Sequence, residues 1–330
     1  MTLYRTPARL RAAVALLILT LVAVAGCGSA DTASPSGQTR PVSTERGTVE
    51  VPDDPQRIVV LNGALAGYLY DLGVPVTAAD PRVLGVTNRT GSFPPAWSAD
   101  AEKQGTQALP IGESINLELV ASQRPDLIIG GGQGFTAQQS IDAYDQLSAI
   151  APTVLVPAKT VDWQAQLRLI ADVVGRPDRV DGLIGAYRDK VAKVKSSIKA
   201  PPGAAAFYQS RRDQKPTLIL PDAALPTLLA EVGITADDRV LAKAGNPAHD
   251  EAADWIQFSP ELLTGIVDAP LVFVLPLDGG RGLAQLAQDP AYAQLPAFKS
   301  GNVFELPATS YRPDYRGVMD TLDLIMERFT

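Results

Sequence analysis

Sulfur and imidazole are nearly absent from this 330-residue chain, which has one cysteine, Cys27, and one histidine, His249. A single cysteine excludes any disulfide within the chain. The same shortage leaves no nitrogen and sulfur ligand set for a protein-held metal, so no metal site and no resident cofactor is expected. Basic charge is also scarce, with 29 Lys and Arg against 36 Asp and Glu. A net charge of −7 argues against a nucleic-acid partner, whose phosphates require a basic face. After residue 26 no run approaches the ~18 apolar residues of a membrane helix. Neither Gly-x-Ser-x-Gly nor His-Glu-x-x-His occurs, so serine-hydrolase and zinc-protease chemistry have no starting point.

What is present begins with an export signal. Arg5, Arg9 and Arg11 form a basic start, residues 12–24 an apolar core, and Val24-Ala25-Gly26-Cys27 a small-residue processing site. Residues 28–45 are rich in Ser, Thr, Ala, Pro and Gly and read as a flexible tether. The remaining chain, 46% apolar overall, is long enough for two ordinary domains.

The most informative stretch is 116–130. Asn116 is placed to cap a short helix with Glu118 in its first turn, where the helix N-terminus favours a carboxylate. Pro125 ends that helix, and 127–129 then reads as a strand buried on both faces. A related unit lies about 140 residues later, where Ser259-Pro260-Glu261 opens a helix and Pro270 precedes the apolar strand 271–275. Two such units suggest two lobes of related build, each presenting one Glu.

Strands are expected at 48–51, 57–61, 76–79, 153–156, 204–209, 217–220 and 302–306. Helices are expected at 65–72, 137–148, 162–173, 225–232, 283–288 and 316–329, with long loops at 81–106 and 235–254. This alternation implies parallel sheets covered by helices. From Pro177 to about residue 199, apolar residues recur at 180, 183, 184, 187, 191, 194 and 198, the spacing of one long helix. Some 22 residues would make a rod of roughly 33 Å.

In such sheets ligands bind beyond the carboxyl ends of the strands. The loops there carry Arg82, Arg89, Arg211, Arg212, Arg281, Arg312 and Arg316 with Phe93, Trp97, Phe135, Tyr311 and Tyr315. Guanidinium forks suit anionic oxygens and aromatic faces cover flat apolar groups. Gly132-x-Gly134-x-x-Ala137 satisfies a loose dinucleotide fingerprint and keeps an exported NAD-dependent oxidoreductase as an alternative. It lacks the expected acid about 20 residues on, and a ligand-loop role for its glycines reads better. A structural or adhesive surface lipoprotein is a further alternative.

The run Asn116-Leu117-Glu118 with Arg124-Pro125-Asp126-Leu127-Ile128-Ile129 resembles the N-lobe signature of substrate-binding proteins of ABC importers for ferric siderophores, haem and cobalamin. Segments 55–61, 72–76 and 144–153 are similar to the same family in the same order. The resemblance implies the class III α/β fold, two Rossmann-like lobes joined by a long spanning helix with little hinge opening. It gives a signal peptide at 1–26, a tether at 27–46, lobes at 47–158 and 201–330, and connecting helices at 159–200. It further implies no enzymatic activity, a monomer, and a ferric siderophore as ligand, with haem and then cobalamin as the next choices. Arginines and aromatics from both lobes would hold the ligand, Arg211, Arg281 and Tyr311 foremost. Haem could be ligated through Tyr208, Tyr311 or Tyr315. Glu118 and Glu261 would each bridge to arginines of the permease. The 24–27 tetrad resembles the lipobox of bacterial lipoproteins, in which Cys27 is lipidated and anchors the chain at the outer face of the cytoplasmic membrane.

Overall fold

Two five-stranded sheets carry the architecture of the computed structural model, which describes residues 37–86, 91–247 and 253–330. The export signal, Cys27, Arg89 and His249 lie outside those residues.

The first sheet contains β3 (Ile58–Val60), β4 (Val76–Ala79), β5 (Gln107–Ala108), β6 (Leu127–Gly131) and β7 (Thr153–Val156), in the order β5-β4-β3-β6-β7. All its pairings are parallel. Helices cover both faces, which is why β3 and β6 consist of apolar residues and glycine and are buried throughout. The second sheet contains β8 (Ala205–Ser210), β9 (Thr217–Ile219), β10 (Trp255–Gln257), β11 (Leu271–Pro276) and β12 (Val303–Glu305), in the order β10-β9-β8-β11-β12. Here β8, β11 and β12 run parallel, while β9 pairs antiparallel with β8 and the edge strand β10 pairs antiparallel with β9.

The connector forms as expected, though shorter. Pro177–Arg179 make one 3-10 turn, and the α-helix proper runs Val180–Ser197, roughly 27 Å at 1.5 Å per residue. It buries Val180, Ile184, Tyr187 and Val194. The C-terminal helix Tyr315–Phe329 packs along it, and the Lys199 amide donates to the Phe329 carbonyl at 2.8 Å. Trp163 meets Tyr187 edge-on at 4.9 Å, joining the helix Trp163–Val173 to the connector. One apolar core runs from Val42 through both lobes to Phe329. A shared core resists wide hinge opening, because separating the lobes would expose it to water.

Several expectations are corrected. Residues 39–44, expected in the tether, form β1 (Thr39–Thr44), which pairs antiparallel with β2 (Gly47–Pro52). Val42 and Val51 of this hairpin are buried, which compensates for ordering it. The loop 81–106 contains a helix, Pro95–Gln104. Pro95 pre-sets the first helical φ, Trp97 and Ala101 face the core one turn apart, and Gly105 ends the helix in the left-handed region. The loop 235–254 holds the short helix Val240–Lys243. The helix expected at 137–148 is two, Phe135–Asp142 and Tyr144–Ser148, and that at 283–288 shortens to Leu283–Leu286. Asn116 caps its helix, its Oδ1 accepting from the Leu119 amide at 2.9 Å. Ser259 makes no such bond, and Glu261 sits in a 3-10 turn, Pro260–Leu262, instead of an α-helix.

Candidate functional site

Each sheet reverses its strand order at the centre, between β3 and β6 in one and between β8 and β11 in the other. Loops leaving neighbouring strands on either side of such a point diverge and leave a crevice. The residues just past these four strand ends are Asn62, Gln133, Arg211 with Arg212, and Asp278. Asn62 ties two of the loops together, its Nδ2 donating to the carbonyls of Gly131 at 2.8 Å and Gln133 at 3.2 Å. Gly131 is required there, since its φ is 76° and a Cβ would stand 2.4 Å from the Val156 carbonyl oxygen. Gly280 is required in the other lobe, where a Cβ would lie 1.8 Å from the Ser210 carbonyl oxygen.

The two sets of loops meet. The Asp278 amide of the second lobe donates to the Gly85 carbonyl of the first at 2.9 Å. Arg312 of the second lobe donates from Nη1 to Gln133 Oε1 of the first at 2.6 Å. Around these contacts the inter-lobe space forms three connected hollows, with Gln133 on the wall of each. One of about 530 Å³ lies between Arg82, Leu84, Phe135, Arg212 and Asp278. A second of about 690 Å³ is bounded by Lys159, Asp162, Trp163, Tyr187, Glu231 and Arg312. A slot of about 70 Å³ reaches Trp97, Tyr311 and Asp314. The larger two are of the size that holds small-molecule ligands.

The candidate arginines differ sharply in what already holds them. Arg82 is clasped by Asp80, with Nη2 at 2.5 Å from Oδ2, and also donates to Gln139 and the Gly112 carbonyl. Its guanidinium lies over the Phe135 ring at 5.8 Å, and Phe135 itself is 61% exposed. Arg312 is gripped by both oxygens of Asp254, at 2.9 and 2.8 Å. Arg281 donates to Asp289 at 2.8 Å and covers the Tyr292 ring at 5.2 Å. Arg212 is exposed, and its Nε donates to the Asp278 carbonyl at 3.2 Å. Arg211 lies over Trp255 at 5.3 Å with its Nε buried and without a hydrogen-bond partner, a donor waiting for an acceptor.

The aromatics are mostly inside. Trp97 is 2% exposed and packs against Tyr70 and Phe93. Tyr315 is half-buried against Trp163 at 5.7 Å. Tyr311 is buried and its hydroxyl donates to Asp254 at 2.5 Å. Burial, with the Asp254 charge behind it, pushes the Tyr311 phenol well above its usual range. Thus Arg82, Phe135 and Arg212 share one hollow and Arg312 joins them through Gln133. Trp97 and Tyr311 touch only the narrow slot, while Arg211, Arg281 and Tyr315 line none of the three. Gln133, Asp254 and Asp278 are site residues that sequence reasoning missed. Gln133 and Asp278 carried a signal, each standing in a loop expected beyond the carboxyl end of a strand, and Asp254 carried none.

Glu118 and Glu261 are both exposed, one on each lobe, and neither has an ion-pair partner among the described residues.

Two α/β lobes braced by a helix, with a polar crevice between their switch points, define a two-lobed solute-binding protein. Residues 58–309 match the family described as periplasmic binding protein, and the chain belongs to that family. Among relatives, the ferric enterobactin-binding periplasmic protein FepB of Escherichia coli O6:H1 is 29% identical over 294 residues, 88% of this chain and 91% of that one. The iron(3+)-hydroxamate-binding protein FhuD of Bacillus subtilis is 26% identical over 323 residues, 95% of each chain. The crystal structure of holo-ViuP superposes with a TM-score of 0.74 over 88% of this chain and 95% of that one at 22% identity, a likeness of fold.

Proposed function

We propose that this protein captures a ferric siderophore between its lobes and hands it to the permease of an ABC importer, while Cys27 anchors it by lipid to the outer face of the cytoplasmic membrane. The observation that carries this reading is the paired hollow at the carboxyl ends of β3, β6, β8 and β11, walled by guanidinium groups, the exposed Phe135 ring and polar backbone from both lobes. Relatives named for ferric enterobactin, ferric hydroxamate and ferric citrate support iron chelates as the cargo. Arg82, Phe135, Arg212 and Arg312, which line the hollows, are the residues assigned to ligand contact.

The metal is cargo and arrives already wrapped in its chelator. Haem is the weaker reading for a physical reason. Tyrosinate ligation needs a phenol that ionises readily, and burial raises the pKa of Tyr208, Tyr311 and Tyr315 alike. Glu118 and Glu261, without an ion-pair partner among the described residues, are assigned to arginines of the permease. Titrating the protein with ferric siderophores, haem, cobalamin and NADH while following tryptophan fluorescence tests the reading. Saturable quenching by a ferric siderophore is the expected result. A response to NADH alone would return the glycine-rich loop to dinucleotide binding.

A further inference from the structure

The cleft's charge narrows the class of chelate, and this step rests on the siderophore reading above. By sequence the cleft is arginine-rich. In the fold much of that charge is already neutralised or lies elsewhere, since Arg82 is clasped by Asp80 and Arg312 by Asp254, while Arg281, held by Asp289, lines none of the hollows. On the wall of the 530 Å³ hollow, Arg212 is the one cation without a carboxylate partner among the described residues. The Asp278 carboxylate lines the same wall, also without an ion pair, and offsets it. Arg211 lies over Trp255 and lines none of the hollows, so it adds no charge to their walls. The larger hollow is acidic, because Asp162, Asp222 and Glu231 face it while Lys159 is held by Glu45 at 2.6 Å.

We infer that the cleft selects a ferric chelate that is neutral or singly negative, of the hydroxamate kind, against a triply negative tris(catecholate). Three hydroxamates, each singly negative, cancel the charge of ferric iron. Three catecholates, each doubly negative, leave a triple negative charge. Such an anion would enter a crevice whose described walls offer one unpaired guanidinium, Arg212, beside the unpaired Asp278 carboxylate, and would carry unmatched charge out of water, which is costly. The surrounding chain, at −7, repels it as well. A neutral chelate carries no such penalty.

The test titrates the full chain with a set of ferric trihydroxamates, including ferrichrome, and with ferric enterobactin, in the wild type and in D278N. Asparagine keeps the left-handed backbone at this position, where φ is 49°. The wild type is expected to favour the best trihydroxamate by about a hundredfold or more, at about tenfold per unmatched charge. D278N is expected to raise the enterobactin affinity about tenfold relative to that of the hydroxamate. Tighter binding of ferric enterobactin than of every trihydroxamate, or no relative change in D278N, overturns the inference. Failure of every ferric chelate to bind overturns the siderophore reading itself, and this inference with it.

Discussion

Arg316 was one more arginine in the cleft loops by sequence, yet the fold makes it a strut between the lobes. From the second lobe its Nε donates to Asp71 at 2.8 Å, and its Nη1 donates to Asp100 at 2.6 Å and to the Ala96 carbonyl at 2.7 Å, all in the first. Arg316 and Asp71 keep 20% and 10% of their side-chain surface, and the buried Asp71 Oδ2 has no hydrogen-bond partner, so the carboxylate relies on Arg316. Replacing Arg316 by Met therefore strands a buried carboxylate. Breaking a buried pair costs about 3–5 kcal/mol, whereas the half-exposed Asp100 contributes under about 1 kcal/mol. We expect R316M to lose about 3 kcal/mol, or roughly 6–10 °C in Tm. The double variant R316M/D71N should recover about 1–2 kcal/mol, because the stranded charge is gone. Urea denaturation of the wild type, both singles and the double closes the cycle. A loss below about 0.5 kcal/mol in R316M, or a double variant no more stable than R316M, would refute the reasoning.

Three further outcomes follow from the same structure. Enclosure raises the Asp314 carboxyl to about 6, with the neighbouring Asp71 charge adding to the shift and the Gly317 amide opposing it. The folded state thus holds this proton more tightly than the unfolded one, so stability falls as pH rises from about 4 to about 6 and stays lower above. D314N, which retains the cap oxygen that accepts from Gly317 at 2.7 Å, should flatten that slope and gain roughly 2 kcal/mol at pH 7 in chemical denaturation. N116A removes the cap beneath Glu118 and should cost about 1 kcal/mol, read by the same assay. E118A/E261A should abolish iron uptake in cells while leaving chelate affinity intact; weakened binding instead would place these acids in the pocket.

Local chemistry made much of the fold legible. The strands 76–79 and 153–156 appear at the expected bounds because apolar runs between turn residues leave little choice. The spanning helix was visible in its stripe from Val180 to Val194. The helix Pro95–Gln104 was hidden because only Trp97 and Ala101 are buried on it, too few for a periodic signal. The strand β10 is three residues long, and its place is set by pairing with β9. At the site, sequence identified which arginines lie near the strand ends but not which of them are spoken for. Asp80 beside Arg82 was close enough in sequence to suspect. Asp254, 58 residues from Arg312, reaches it only through tertiary folding.

The central claim is that cargo is gripped from both sides at once. Hydrogen exchange with and without a saturating ferric siderophore tests it directly. Protection is expected together in the loops 82–86, 131–136, 210–212 and 278–280, which come from different lobes. Protection confined to one lobe, or appearing away from these loops, would contradict it.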